Sequence, residues 1–570
     1  MNNLNLITGL VIATFLVGGC ATTRPVNADV ARDKAKEVAP LPLPRGALYQ
    51  ALVAEMAAQR GQFDVAAEQY QALTRITRDP RVAERATRAA AMGRDDKKVL
   101  ELSQEWLETN PRSLDARLFI AAALIRQGQL DAAREHVDVV LAESANAPDH
   151  GFGAVSSLLF NVTDGKAALA FMDKLITKYQ DDPYAHYAYG QIALRAEALD
   201  AALRAAETAH RLKPDWANAV VLQTRVWQLK GEPGRAADVL QEVVDKQPED
   251  AGLRMIYARL LLSATRYDAS LAQLEMLAKQ VPDNPEVLLT AALVALDLKQ
   301  LDTAERYLNR LLLQPQQGNA ASYYLGAVAE ARKDQPTAKK WYLAVTDGEH
   351  YLPAQLRIAL IMADQGDVDG ALKNMRALTP GDAVQKARIA NIEGSILYQA
   401  ERYAAAMEVY NAALKEAPDN IDLLHSRALA AERLDRIDIV EQDLKAILQR
   451  EPANAAALNT LGYTLADRTT RYQEAYDYIN RALELQPQDF AILDSMGWVL
   501  FKLGKHAEAL TYLRRSWDAD QDPEVGAHLG EVLWVTGDQP GAREIWRRAL
   551  EKAPDHKVLR GVLQRFGVKL

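Results

Sequence analysis

Residues able to do chemistry are few in this chain and lie far apart. Nine histidines (His136, His150, His186, His210, His350, His425, His506, His528 and His556) are scattered along it. None has a second ligand at metal spacing, and there is no His-Glu-x-x-His and no cysteine pair, so neither a zinc protease nor a structural zinc site is expected. Gly497 to Gly504-Lys505 has the wrong spacing for a phosphate loop and no Ser or Thr after the lysine, while Gly151-Phe152-Gly153 lacks a third glycine. Carboxylate pairs such as Glu101/Glu105 fall on solvated helical faces, and no Gly-x-Ser-x-Gly elbow occurs. No catalytic residue, cofactor or metal is assigned, and the chain is expected not to be an enzyme.

The single thiol is the exception. Cys20 follows the apolar run Leu6–Leu16, too short for a membrane span but right for the core of a signal peptide, and Val17-Gly18-Gly19 stand directly before it. This resembles a bacterial lipobox, which implies cleavage before Cys20 and lipid attachment to it, although residues 1–15 contain no Lys or Arg. The alternative is an N-terminal helix with a buried cysteine. Ala21, rather than Asp, follows Cys20, which in Gram-negative lipoproteins resembles the sorting pattern for the outer membrane. Each buried CH₂ contributes roughly 0.8 kcal/mol, so two or more acyl chains are needed for stable anchoring. With no other cysteine the mature chain forms no intramolecular disulfide.

What remains must position partners rather than reactants. At 570 residues the chain exceeds one globular core, yet repetition replaces separate domains. Its charge, 67 basic against 76 acidic residues for a net of −9, gives no footprint for nucleic acid. Between Asn459 and Pro554 one pattern is written nearly three times: Leu461-Gly462-Tyr463, Ala475, Ala482 and Pro487; Met496-Gly497-Trp498, Gly504, Ala509 and Leu513; Leu529-Gly530, Gly537, Ala542, Ala549 and Pro554. A small residue sits where one helix approaches its neighbour, a turn follows, and a second helix opens on Ala. Pro214, Pro248 and Pro282 recur thirty-four residues apart. Such a hairpin cannot bury its apolar faces alone, so it must stack on the next.

This pattern resembles the tetratricopeptide repeat, which implies an all-α fold: a right-handed α-solenoid of about fifteen stacked hairpins with a C-terminal capping helix. The divisions expected are 1–19, a lipoprotein-type signal peptide; 20–45, a lipidated N-terminus and Pro-rich tether; 46–182, degenerate repeats; 183–386, a central array; 387–554, a C-terminal array; and 555–570, the capping helix. Ser144–Gly165 reads as a kink or loop between sub-arrays.

In this family the first helix of each hairpin, helix A, lines the concave face. Carried over by register, that face holds Arg388, Asn391, Ser395 and Tyr398; His425, Leu429 and Arg433; Asn459 and Tyr463; Asp494, Trp498 and Phe501; Glu531 and Trp534. The aromatics there are candidate anchors, though Trp498 or Trp534 could equally fill a crevice between helices. The Asn of the family's carboxylate clamp is replaced by Ser395, Leu429, Tyr463, Trp498 and Glu531, which disfavours a clamp co-chaperone. The function expected is a non-catalytic scaffold, anchored periplasm-facing in the outer membrane, binding proteins or peptides of the cell envelope in assembly or polymer export. The alternatives are a polysaccharide- or peptidoglycan-associated binder, a non-catalytic subunit of an envelope enzyme complex, or a cytoplasmic scaffold.

Overall fold

The computed structural model describes residues 44–160, 162 and 164–570, so Cys20, the signal peptide and most of the tether lie outside the described residues. Among the described residues there are 31 helices and no strand, arranged as fifteen antiparallel hairpins and one terminal helix. They form two compact units, one ending at Gln314 and one beginning at Pro315. That division falls inside the stretch 183–386 read as one central array.

The hairpins are built by local rules. Most A helices are opened by a side-chain cap: Asp182, Asn420, Asn454, Asp489 and Asp522 each accept from an amide two or three residues further on. Between A and B the chain passes through a left-handed residue. Gly61, Gly231, Gly504 and Gly537 take that conformation freely, whereas Lys299, Glu401 and Asp435 take it at a steric cost. Where A crosses B, glycine is required by contact: a Cβ on Gly326 would lie 2.5 Å from Tyr342, and one on Gly394 or Gly530 would overlap Tyr410 or Trp546. The small residues that mark the repeat in sequence are therefore packing devices.

The first unit holds eight hairpins, from Ala47–Gln59 and Phe63–Thr77 to Pro285–Asp297 and Leu301–Leu311. Here Ser144–Gly165 departs from expectation. A helix, Pro148–Phe160, occupies the stretch read as a kink or loop. Phe152, Val155 and Leu159 are buried against neighbouring helices, and a Cβ on Gly151 would meet Ser144 Cβ at 2.9 Å. Burial thus overrides the glycines' weak helical propensity.

The second unit holds seven hairpins, from Gly318–Ala331 and Gln335–Leu343 to Pro523–Val535 and Gln539–Lys552. The terminal helix Lys557–Phe566 buries Leu559, Val562 and Leu563, with Phe566 against Trp534 and Trp546. It leaves Lys557, Arg560 and Arg565 outward, and Lys557 Nζ reaches Glu401 at 2.6 Å, 156 residues back. Two exposed ends so distant in sequence meet only because the hairpins of this unit curve round.

Candidate interaction face

One register position of helix A carries a polar or aromatic hydrogen-bonding residue throughout the second unit. Tyr323, Arg357, Asn391, His425, Asn459, Asp494 and His528 follow each other at steps of 34 residues, with a single step of 35 before Asp494. Four of them, Asn391, His425, Asn459 and Asp494, belong to the face expected from register. The others are missed because the register is carried over only from Arg388 onward, which leaves out Tyr323 and Arg357, and because in the last A helix only Glu531 and Trp534 are taken; the 34-residue step finds all three.

The ends of this column are tied down. Arg357 donates twice to the Glu330 carboxylate, at 2.9 and 2.7 Å, and Tyr342 donates to the same group at 2.5 Å. Tyr323 stacks on His350 with ring centroids 5.1 Å apart. Asn391 accepts from the Ser426 hydroxyl at 2.8 Å. At the far end His528 Nδ1 meets Asp494 Oδ2 at 2.8 Å. The middle is open: His425 Nε2, Asn459 Oδ1 and Asp494 Oδ1 are buried atoms without a hydrogen-bond partner among the described residues.

Beside the column, the Tyr463 hydroxyl donates to Glu524 at 2.9 Å, two hairpins further on. Packed helices stand about 8–10 Å apart. A side chain spans two such intervals only where the helices converge, so these A helices line the inside of the curve. Trp498 is 4% exposed, lies face to face with His528 at 4.2 Å and donates its indole N–H to Asp467 at 3.3 Å. It fills a crevice between A helices. Trp534 is half-buried between Trp546 and Phe566, and Phe501 packs on Trp498 and His506. Arg433 is exposed and donates to the Tyr398 hydroxyl at 3.1 Å. The structure thus brings Asn459, Tyr463, Asp494 and Trp498 into one cluster, and sets Asn391, Tyr398 and Arg433 along the face before it and Trp534 in the packing under the terminal helix.

Burial and crowding of carboxylates set the electrostatics. Burial lifts the Tyr463 phenol well above its ordinary value, and Glu524, Asp467 and Asp494 add to the rise. The Glu432 carboxyl is raised by burial; Arg433 and Arg468 oppose this, while Glu524 and Asp467 reinforce it. Burial alone would lower the His528 imidazole, but Asp494, backed by Glu524 and Asp467, leaves it above its usual value. The His425 imidazole is lowered by burial. Glu531 is raised by burial against the pull of Arg565, which pairs with it. Among the described residues no group of three His, Cys, Asp or Glu could hold a metal ion, and no helix is long and apolar enough to cross a membrane.

Tetratricopeptide repeat models match residues 98–148, 229–293, 289–348, 356–421, 425–490 and 495–557. TPR repeat-containing protein PA4667 of Pseudomonas aeruginosa is 35% identical over 546 residues, covering 93% of this chain and 91% of that protein. Human protein O-mannosyl-transferase TMTC1 is 21% identical over 183 residues, covering 31% of this chain and 20% of that protein. Among solved structures, yeast Tom70 is similar at 16% identity, covering 91% of this chain and 94% of that one with a TM-score of 0.33. The Cut9–Hcn1 hetero-tetramer of APC/C is similar at 16% identity, covering 85% of this chain and 96% of that one with a TM-score of 0.34. With repeat models matching more than half of the chain and a relative aligned over nearly its whole length, the chain belongs to the tetratricopeptide repeat family.

Proposed function

We propose that the protein is a non-catalytic scaffold, held at the outer membrane through an acylated Cys20, that binds polypeptide partners of the cell envelope along the inner face of its second unit during envelope assembly or polymer export. Tetratricopeptide repeats are protein-interaction modules, and the observation that carries the reading is the open middle of the column. His425, Asn459 and Asp494, on three consecutive A helices, each keep a buried polar atom unpaired. Leaving such a group unmet costs about 1–3 kcal/mol, which a ligand with matching groups recovers once the half-buried His425 and Asn459 side chains rotate toward it. Rungs about 8–10 Å apart fit a chain in the polyproline II conformation, which rises about 3.1 Å per residue with three residues per turn, so that every third residue of a bound peptide meets a rung.

A polysaccharide is the less favoured ligand, because sugar rings need open aromatic faces. Those of Trp498 and Trp534 are covered by His528 and by Trp546 with Phe566. The ligand reading is tested with a random dodecapeptide library on the immobilised full chain. His425→Ala with Asn459→Ala should weaken the retained peptides at least tenfold, and equal retention by the variant would count against the column. For the anchor, cells grown with an alkynyl fatty acid should label the wild-type protein and not Cys20→Ala. An unlabelled wild type would remove the membrane from the proposal.

A further inference from the structure

Three carboxylates gather around one phenol, that of Tyr463, and a fourth, Glu432, lies close enough to Glu524 and Asp467 to feel their charge; the four come from four consecutive A helices. Glu432 ends the helix Ile421–Arg433, Asp467 the helix Ala455–Arg468, Asp494 belongs to Phe490–Lys502, and Glu524 opens Pro523–Val535. Glu524 accepts from Tyr463, and Asp467, Asp494 and Glu524 all act on that phenol through space. Two cations already pair with two of these acids, and a third, Arg433, makes its hydrogen bond outside the cluster. Arg468 pairs with Asp467 at 3.1 Å, Arg433 donates to Tyr398, and His528 faces only Oδ2 of Asp494. Glu432 and Glu524 have no ion-pair partner among the described residues.

Gathered acids alone do not make a site. Asp494 supplies an independent sign: it is 6% exposed, yet its Oδ1 has no donor. A carboxylate oxygen this deeply placed and left unpaired costs more than a neutral acceptor would, and what it lacks is an N–H carrying positive charge. Glu432, Asp467 and Glu524 are only half-buried, which leaves an approach to the cluster from the inner face. The Tyr463 ring adds an aromatic wall of the kind that favours cations.

We infer that the cluster of Glu432, Asp467, Asp494 and Glu524 around Tyr463 is a recognition pocket for an arginine or lysine side chain of the bound polypeptide. This rests on the reading of the column as a peptide-binding face and adds to it the charge of the partner. The column holds the backbone by neutral hydrogen bonds at His425 and Asn459; the acidic cluster, next along the same face, selects for a basic side chain. Arginine fits better than lysine, because its planar fork can serve two carboxylates at once.

The test uses the same library on the full chain. Peptides retained by the wild-type protein should be enriched at least fivefold in Arg and Lys, and replacing the enriched arginine by citrulline should weaken binding at least tenfold. Glu432→Gln with Glu524→Gln keeps the shapes and relieves the crowding of like charges, so this variant should fold, with an unchanged circular dichroism spectrum. It should still retain peptides but without preference for basic ones. Retention of neutral or acidic peptides by the wild type, or an unaltered basic preference in the variant, would overturn the pocket while leaving the column standing. Free arginine amide binding as tightly as the selected peptides would overturn a polypeptide source for the cation. No peptide retained by the wild type would overturn the column and the pocket together.

Discussion

Replacing Trp546 with alanine should destabilise the C-terminal end of the second unit by about 3–5 kcal/mol, the usual cost of emptying a large buried aromatic site. Trp546 is fully buried. It fills the space left by Gly530, packs on Trp534 and Phe566, and points its indole N–H at the Ala527 carbonyl at 3.4 Å. Apart from the Tyr463–Glu524 hydrogen bond and the exposed Lys557–Glu401 pair, the last hairpin packs on its neighbours, so the loss stays largely local. The last hairpin and the terminal helix should therefore open while earlier hairpins hold. Amide hydrogen exchange across 523–566 is the measurement, since one melting temperature is poorly defined for a repeat array.

The glycine opposite gives an internal control. Gly530→Ala forces a Cβ into the indole and should cost about 1–3 kcal/mol by overpacking. In Trp546→Ala the same methyl enters a vacancy, so the double variant should be more stable than the sum of the single losses predicts. Additive losses would mean that Gly530 is needed for something other than room for Trp546.

These pairs show why so much of the fold was legible beforehand. Gly394 with Tyr410, Gly497 with Leu513 and Gly530 with Trp546 are short-range contacts within one hairpin, and they recur at the repeat length. Spacing alone exposes them. The same regularity puts Asn391, His425, Asn459 and Asp494 on one expected face, whereas Tyr323 and Arg357 escape because they precede the stretch over which that face is traced, and His528 because only Glu531 and Trp534 are taken from its helix. What spacing does not encode is curvature. Trp498 is an anchor facing open space in a gently curved stack and a filler in a tight one, and the bond from Tyr463 to Glu524 two hairpins away decides for the second. Pro148–Phe160 was unreadable for a related reason: two glycines speak against a helix locally, and only the burial of Phe152, Val155 and Leu159 overrules them.

The second large effect concerns the pair that closes the column. Asp494→Ala leaves His528 buried without its counter-charge and should cost about 3–5 kcal/mol, the typical penalty for removing one partner of a buried pair. Asp494→Leu with His528→Leu removes both charges and should recover most of that loss, since apolar groups of similar size can replace a buried pair at little net cost.

The pH dependence separates this from simple loss of packing. His528 sits above its ordinary value in the folded chain, so its contribution is fully present below the unfolded histidine value of about 6.5 and is lost as pH rises through the raised value. Glu432 and Glu531, also raised, lose stability as pH climbs from the ordinary carboxyl range; Glu432 does so equally in wild type and variant, whereas His528 itself pulls Glu531 down, so the comparison is made with Glu531→Gln in both backgrounds. Subtracting His528→Gln from wild type at each pH should therefore leave a stability gap that is widest near pH 6 and narrows towards pH 9. A gap that stays constant would show that His528 acts by shape, through its stack on Trp498. A gap that widens would mean that the imidazole is held neutral, which would also remove the compensating positive charge from the acidic cluster beside it.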